Sequence, residues 1–232
     1  MRLRSSYIVI VLLMPHASAN NLILLESVRP FVEQTAAEID QVPLDRRKVL
    51  DKSADFVVER LAKRREAPLT FICTHNSRRS HLSQVWAQIA ADHYGLSGVS
   101  TYSGGTEATA CNIRTVRALQ RTGLQIEAAN VSDNPLYQLL YAENRSPIEV
   151  FSKVYNDEGN PQEDYAAMMC CADVDEHCPV VFGSAARIPL HYDDPKASDG
   201  TPEESATYDA RCAEIALEMF YLFSLVAEQL RS

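Results

Sequence analysis

Eight consecutive residues carry the chemistry of this sequence: Cys73-Thr74-His75-Asn76-Ser77-Arg78-Arg79-Ser80. A thiol opens the stretch, an arginine follows six positions later, and small or polar residues fill most of the space between. An apolar run, 69–73, precedes it and a helical pattern, 81–94, follows. A strand, a tight loop and a helix N-terminus aim backbone N–H groups and the positive end of a helix at one point. Such a point binds an anion, with Cys73 beneath it and Arg79 able to close over it. Thr74, His75, Asn76, Ser77, Arg78 and Ser80 complete the expected oxyanion-binding loop. The helix end, the loop amides and Arg79 favour the thiolate, and such surroundings lower a cysteine pKa from about 8.5 to roughly 3.5–7.5. Arg79 can hold two oxygens of a tetrahedral oxyanion and gain strength in the transition state. Ser80 can donate to the sulfur and ease its departure. Attack by the thiolate leaves an oxyanion that needs a proton. Asp194, fixed before Pro195 on a loop expected at the same end of the sheet, is the candidate general acid.

The elements that must position these groups are legible from periodicity. After the 69–73 strand, Leu82, Val85, Trp86, Ile89 and Ala90 form one helical stripe that Gly95 stops. A second strand spans 99–103 and ends at Gly104-Gly105. Asn112 caps a helix that runs to Thr122, and 124–128 is a short strand. Residues 136–141 and 150–155 are expected to pair as a hairpin around 144–147. Strands follow at 166–171 and 187–192. A capping box at Thr201-Pro202-Glu203-Glu204 opens a long helix carrying Ile215, Met219, Leu222, Phe223, Val226 and Leu230. Alternating strands and helices predict an α/β domain with a parallel sheet covered on both faces. Upstream, 22–66 reads as helical with an interruption at Pro43, an extension without evident chemistry. Lys63-Arg64-Arg65 reads as a solvated helix end.

At 232 residues the chain is long enough for one domain with a substantial core, or two small ones. A formal charge of -9 argues against nucleic-acid binding, which needs a basic face. Against that background Arg78, Arg79, His75 and His81 make a local basic cluster suited to a small anion. Six cysteines are too sparse for a disulfide scaffold. Cys170 reads as core, and Cys111 and Cys212 as buried hydrophobes on helix faces. Residues 1–19 have the three parts of a secretory signal: Arg2 and Arg4, an apolar run, then Ala17-Ser18-Ala19. That run is too short for a stable membrane span. Export to a periplasmic or extracellular space is the expectation if the segment is a signal. A cytoplasmic chain is the expectation if the apolar start is an ordinary strand or helix.

The loop, together with Asp194-Pro195, resembles the low-molecular-weight protein tyrosine phosphatase superfamily, which includes thioredoxin-coupled arsenate reductases. Tyr102-Ser103-Gly104-Gly105-Thr106 is similar to the end of that family's second strand. The resemblance covers about 68–232. It implies a four-stranded parallel sheet flanked by helices (phosphotyrosine phosphatase I-like), with 20–67 as an added helical extension. It also implies roles: Cys73 as nucleophile, Arg79 as oxyanion clamp, Asn76 and Ser80 as organisers of the phosphate-binding loop, Asp194 as acid. No cofactor is implied. The sequence departs from the family at His75, where glycine is usual, and at Arg78, where the phosphatases commonly have a second cysteine.

Cys171 and Cys178, seven residues apart, separate the branches. The arsenate reductases resembled here use such a pair: the first thiol attacks the cysteine–arsenic adduct, and the second forms a disulfide that thioredoxin reduces. Lys196-Ala197 after the aspartate fits the same branch, since phosphatases of the family place aromatic residues there. The resemblance therefore implies an arsenate reductase with thioredoxin as partner. The alternatives are a phosphatase acting on phosphomonoesters through Cys73, and a non-catalytic phospho-ligand module. For the pair itself, inert structural thiols, or zinc ligands with His177, are the other readings, though the spacing fits no standard zinc finger.

Overall fold

The structure is a computed structural model that describes residues 22–177 and 180–232; the expected signal segment and Cys178 lie outside the described residues. The central sheet has four parallel strands in the order β2-β1-β6-β7. Here β1 is Ala67–Cys73, β2 Val99–Gly105, β6 Tyr165–Met169 and β7 Ser184–Pro189. In β1, six of seven residues are buried, as a strand covered on both faces requires. Three antiparallel strands, β3 (Gln125–Ala128), β4 (Tyr137–Leu140) and β5 (Ile148–Val150), form a second, small sheet. Among the described residues six α-helices complete the fold: α1 Arg29–Ala37, α2 Leu44–Ala62, α3 Arg79–His93, α4 Ile113–Arg121, α5 Ala172–His177 and α6 Glu204–Gln229. Among the described residues no helix is long and apolar enough to cross a membrane.

Helix α3 is buried on almost every side, with Leu82, Val85, Trp86, Ala87, Ile89 and Ala90 all fully enclosed. It packs between β1, β2 and α6, which carries Met219, Phe220, Leu222 and Phe223 into the same core. Burial of this kind fixes α3 as a rigid post, and the loop at its N-terminus inherits that rigidity. The extension also packs on α6. Arg46 of α2 donates to both oxygens of the buried Glu218 at 2.6 and 2.7 Å, and the Tyr192 hydroxyl donates to the same carboxylate at 2.7 Å.

Several element boundaries differ from the sequence expectation. The hairpin exists, but its second strand is 148–150, and residues beyond it reach the main sheet through a bridge between Val154 and Gly105. The 124–128 strand joins that hairpin, Gln125 opposite Leu140, and not the parallel sheet. The strand expected at 166–171 ends at Met169, and that expected at 187–192 is Ser184–Pro189. Residues 22–28 precede α1, and Leu24 instead bridges Ala142. Nor does the expected capping box form. Helix α6 starts at Glu204, and the Glu204 carboxylate accepts from Gly200 N–H at 2.6 Å and pairs with Arg114 at 2.7 Å. Tertiary partners claim the side chain that the local motif would have used.

Candidate active site

Cys73 is the last residue of β1, and α3 begins at Arg79, so the six-residue step is spanned by five loop residues. The loop carbonyls turn outward into bonds. Cys73 O accepts from Thr106 N at 3.3 Å, and Thr74 O from Glu107 N at 2.9 Å. His75 O accepts from the hydroxyls of Thr109 and Ser152 at 3.0 and 2.9 Å, and Ser77 O from Asn112 N at 2.9 Å. Because a peptide is planar and trans, a C=O that points out leaves its N–H pointing in. The loop amides therefore face the space above Cys73, beside the N-terminus of α3.

Asn76 is the pivot. It takes the left-handed conformation, φ 44°, which asparagine tolerates better than most residues. Its side-chain N–H donates to Ser80 Oγ at 2.9 Å, and its carbonyl accepts from Lys153 N at 2.9 Å. Ser80 Oγ lies 3.1 Å from Cys73 Sγ. Among the described residues His75 is not one of those at positive φ, so the site accommodates a side chain where the family has glycine. Gly105, on the neighbouring strand end, has no such freedom: a Cβ there would sit 2.7 Å from Thr74 O and 2.8 Å from Asn76 N.

The basic cluster is smaller than expected. His81 is fully buried inside α3's packing; burial first, and then the charge of Lys153, push its imidazole down to about 3. It is a neutral core residue. His75 remains half-exposed, 3.9 Å from Glu107.

Asp194 is the hub of the opposite wall. Arg78 holds both its oxygens, Nε to Oδ1 at 2.8 Å and Nη2 to Oδ2 at 3.2 Å. Arg79 Nη2 adds a bond to Oδ2 at 3.0 Å, and Arg79 Nη1 donates to Tyr192 O at 3.0 Å. Burial works to raise the Asp194 pKa. The hydrogen bond from Arg78, the charge of Arg79 and the bond from Lys196 N–H outweigh it, so the carboxyl lies below its ordinary value. Its neighbour Asp193 has a fully exposed side chain, so Asp194 alone of the two carboxylates faces the loop. In this arrangement the Arg79 guanidinium rests on Asp194 and Tyr192 O.

Cys171 lies just past β6, buried, its sulfur 3.7 Å from Thr74 Oγ1. It lines a cavity of about 320 Å³ together with Arg79, Tyr192, Asp194, His191 and Arg46. The expected loop and Asp194 thus lie together with Cys171, one of the two cysteines expected to exchange. Arg46, Ser152, Lys153, Thr106, Thr109 and Tyr192 were not identified from sequence. Each lies on a distant segment, half of them meeting the site through a backbone group, and single residues of that kind leave no local motif. Among the described residues no group of three or more His, Cys, Asp or Glu side chains is arranged to hold a metal.

A parallel four-stranded sheet with a Cys-x5-Arg-Ser loop at a strand end, faced by an Asp-Pro carboxylate, defines a thiolate enzyme that handles tetrahedral oxyanions. Residues 68–141 match the family of low molecular weight phosphotyrosine protein phosphatases. An arsenate reductase of Bacillus subtilis is 26% identical over 142 residues, covering 61% of this chain and 83% of that protein. One from Bacillus licheniformis is 26% identical over 158 residues, covering 68% and 95%. A solved low molecular weight phosphotyrosine phosphatase from Vibrio cholerae superposes with a TM-score of 0.45 at 16% identity, covering 70% of this chain and 98% of that one. These likenesses support the low-molecular-weight protein tyrosine phosphatase superfamily, close to its arsenate reductases, as the enzyme family that residues 68–141 resemble.

Proposed function

We propose that this chain reduces arsenate to arsenite by a thiol cascade. The Cys73 thiolate attacks arsenic; Arg79 leaves Asp194 to clamp two of the arsenate oxygens; Asp194 carries the proton to the departing hydroxide, which leaves as water. The Cys171 thiolate then attacks the Cys73 sulfur. The S–As bond breaks, its electron pair stays on arsenic, and arsenite departs from a Cys73–Cys171 disulfide. Cys178 attacks the Cys171 sulfur, which frees Cys73 and leaves a Cys171–Cys178 disulfide for an external dithiol protein of the thioredoxin type.

The observation that carries this reading is the position of Cys171, 3.7 Å from Thr74 and on the same cavity as Arg79 and Asp194. A phosphatase needs no thiol there. Relatives named arsenate reductase, and Lys196-Ala197 where a phosphotyrosine ring would need aromatic company, support it. The cascade suits a reducing compartment, and the mass of the mature N-terminus tests the competing expectation of export.

One observation favours phosphomonoester hydrolysis as a second reading: Cys73, Arg79 and Asp194 form a complete set without any further thiol. The deciding comparison measures arsenate reduction with thioredoxin, and aryl phosphate hydrolysis, in the parent and in Cys171→Ser. The cascade predicts that Cys171→Ser loses arsenate turnover and keeps whatever phosphate hydrolysis the parent has. A parent that hydrolyses phosphate and reduces no arsenate would sink the first reading in favour of the second.

A further inference from the structure

The helical extension reaches the site through Arg46. This residue of α2 lines the cavity beside the loop together with Arg79, Tyr192 and Asp194. Its guanidinium donates through Nε and Nη2 to both oxygens of Glu218, and its Cζ lies 5.1 Å from the centre of the Tyr192 ring. The Tyr192 hydroxyl donates to the same carboxylate at 2.7 Å, and Tyr192 N–H donates to Cys170 O at 3.1 Å. Tyr192 is thus held at its ring, its hydroxyl and its N–H. Its carbonyl then accepts from Arg79 Nη1 at 3.0 Å. Asp194, the second acceptor for Arg79, follows two residues later.

Attachment of α2 does not require this arrangement. Leu50, Ala54 and Val57 are fully buried, the Arg47 guanidinium covers the Tyr221 ring, and the Tyr221 hydroxyl donates to Asp51 at 3.1 Å. A buried ion pair adds little stability over an apolar pair of the same shape, because both charges give up water. Here the Glu218 side chain is 2% exposed. What the pair supplies instead is geometry, since a guanidinium fork fixes a carboxylate in one orientation. The hydrogen bond to Glu218 outweighs burial and raises the Arg46 pKa, so the fork stays charged.

We propose that Arg46 is a positioning residue for the oxyanion clamp: through Glu218 and Tyr192 it fixes the carbonyl on which Arg79 pivots. Arg79 Nη1 keeps its bond to Tyr192 O while the rest of the guanidinium exchanges Asp194 for oxygens of the bound anion. A guanidinium pinned at one nitrogen loses less freedom on meeting the anion, so binding is tighter than a loose arginine would give. The extension, outside the matched residues 68–141, is on this account part of the active site. The assignment rests on the proposed function only in taking Arg79 as the clamp.

The test measures binding of inorganic phosphate to the full chain by titration calorimetry at neutral pH. Arg46→Met combined with Glu218→Gln removes the fork without stranding a buried carboxylate. Tyr192→Phe deletes only the hydroxyl bond. Each should weaken phosphate binding by about five- to tenfold, part of the worth of one charge-assisted hydrogen bond. In a chain that also carries Arg79→Met, the same changes should alter binding by less than about twofold, since effects that pass through one residue do not add. Tyr221→Phe removes a tie between α2 and α6 and should leave the affinity within about twofold of the parent. Tyr192→Phe keeps the Arg46–Glu218 pair and decides the question if the double variant folds poorly. Equal weakening with and without Arg79, no weakening from Tyr192→Phe, or a matching loss from Tyr221→Phe overturns this inference and leaves the proposed function standing. A parent that binds no phosphate overturns both.

Discussion

Two neighbouring segments at the C-terminal end of the sheet are built in opposite ways. The loop 73–80 is anchored at nearly every residue: its carbonyls are bonded outward, Asn76 ties it to Ser80 and to Lys153, and α3 behind it is enclosed. Among the described residues, the segment from Cys171 through α5 buries Cys171 and Val174 and forms ion pairs at Asp175. That residue's N–H bonds back to Cys171 O, and its carboxylate meets Arg187 at 2.6 Å and His191 at 3.0 Å. Preorganisation suits the loop, since an oxyanion site acts by presenting fixed dipoles. In the proposed cascade, a segment that carries a thiol from one sulfur to the next needs the reverse, ties that exchange cheaply with water. On the proposed cascade the difference separates two steps: the loop would serve any chemistry on a tetrahedral oxyanion, and the Cys171 segment only the reduction.

Substitutions in the two segments should therefore separate. The largest effect is expected for Cys73→Ser, which should remove both arsenate and aryl phosphate turnover, on the order of 10⁴-fold or more. A loss confined to one substrate would break the comparison at its root. Arg79→Lys should come next, lowering kcat by roughly 10²–10³-fold on both substrates, because an ammonium cannot bridge two oxygens as a guanidinium does. An effect of that size on KM alone would mean that Arg79 binds ground state and transition state equally.

Arg78→Met sharpens the role of the opposite wall. Arg78 and Arg79 hold the Asp194 pKa below its ordinary value, so the carboxyl is ionised at neutral pH, and as an acid it must be protonated to act. Removing Arg78 raises that pKa. The limb of the kcat profile that falls with rising pH should then move to higher pH. An unmoved limb would show that Asp194 is not the acid. The same depression has a stability consequence. The ion pairs stabilise the fold above the ordinary aspartate pKa of about 3.9, and that contribution is lost as pH falls through the lowered folded value.

Smaller effects probe the anchoring itself. Gly105→Ala would force backbone atoms of the loop apart and should cost about 1–3 kcal/mol. Asn76→Ala removes two buried side-chain bonds and should cost roughly 1–3 kcal/mol. Both are read by chemical denaturation. An equally large cost from Asp175→Ala would contradict the idea that the Cys171 segment is the lightly held one.

The sequence by itself determined the site loop, because Cys73, Asn76, Arg79 and Ser80 act within one strand–loop–helix turn and their spacing is the geometry. Periodicity also located the strands that build the parallel sheet, to within a few residues, while the count of four came from the family resemblance and the 124–128 strand went to the second sheet. Tertiary structure decided what depends on distant partners. The hydrophobic stripe gave no hint that His81 is a neutral core residue. No local pattern linked Arg78 and Arg79 to Asp194, 116 and 115 residues away. Only the parallel ladder of β1 and β6 put Cys171 beside Thr74. Local spacing encodes what one turn of backbone can bring together; ion pairing and strand register are set by packing between segments that the chain keeps far apart.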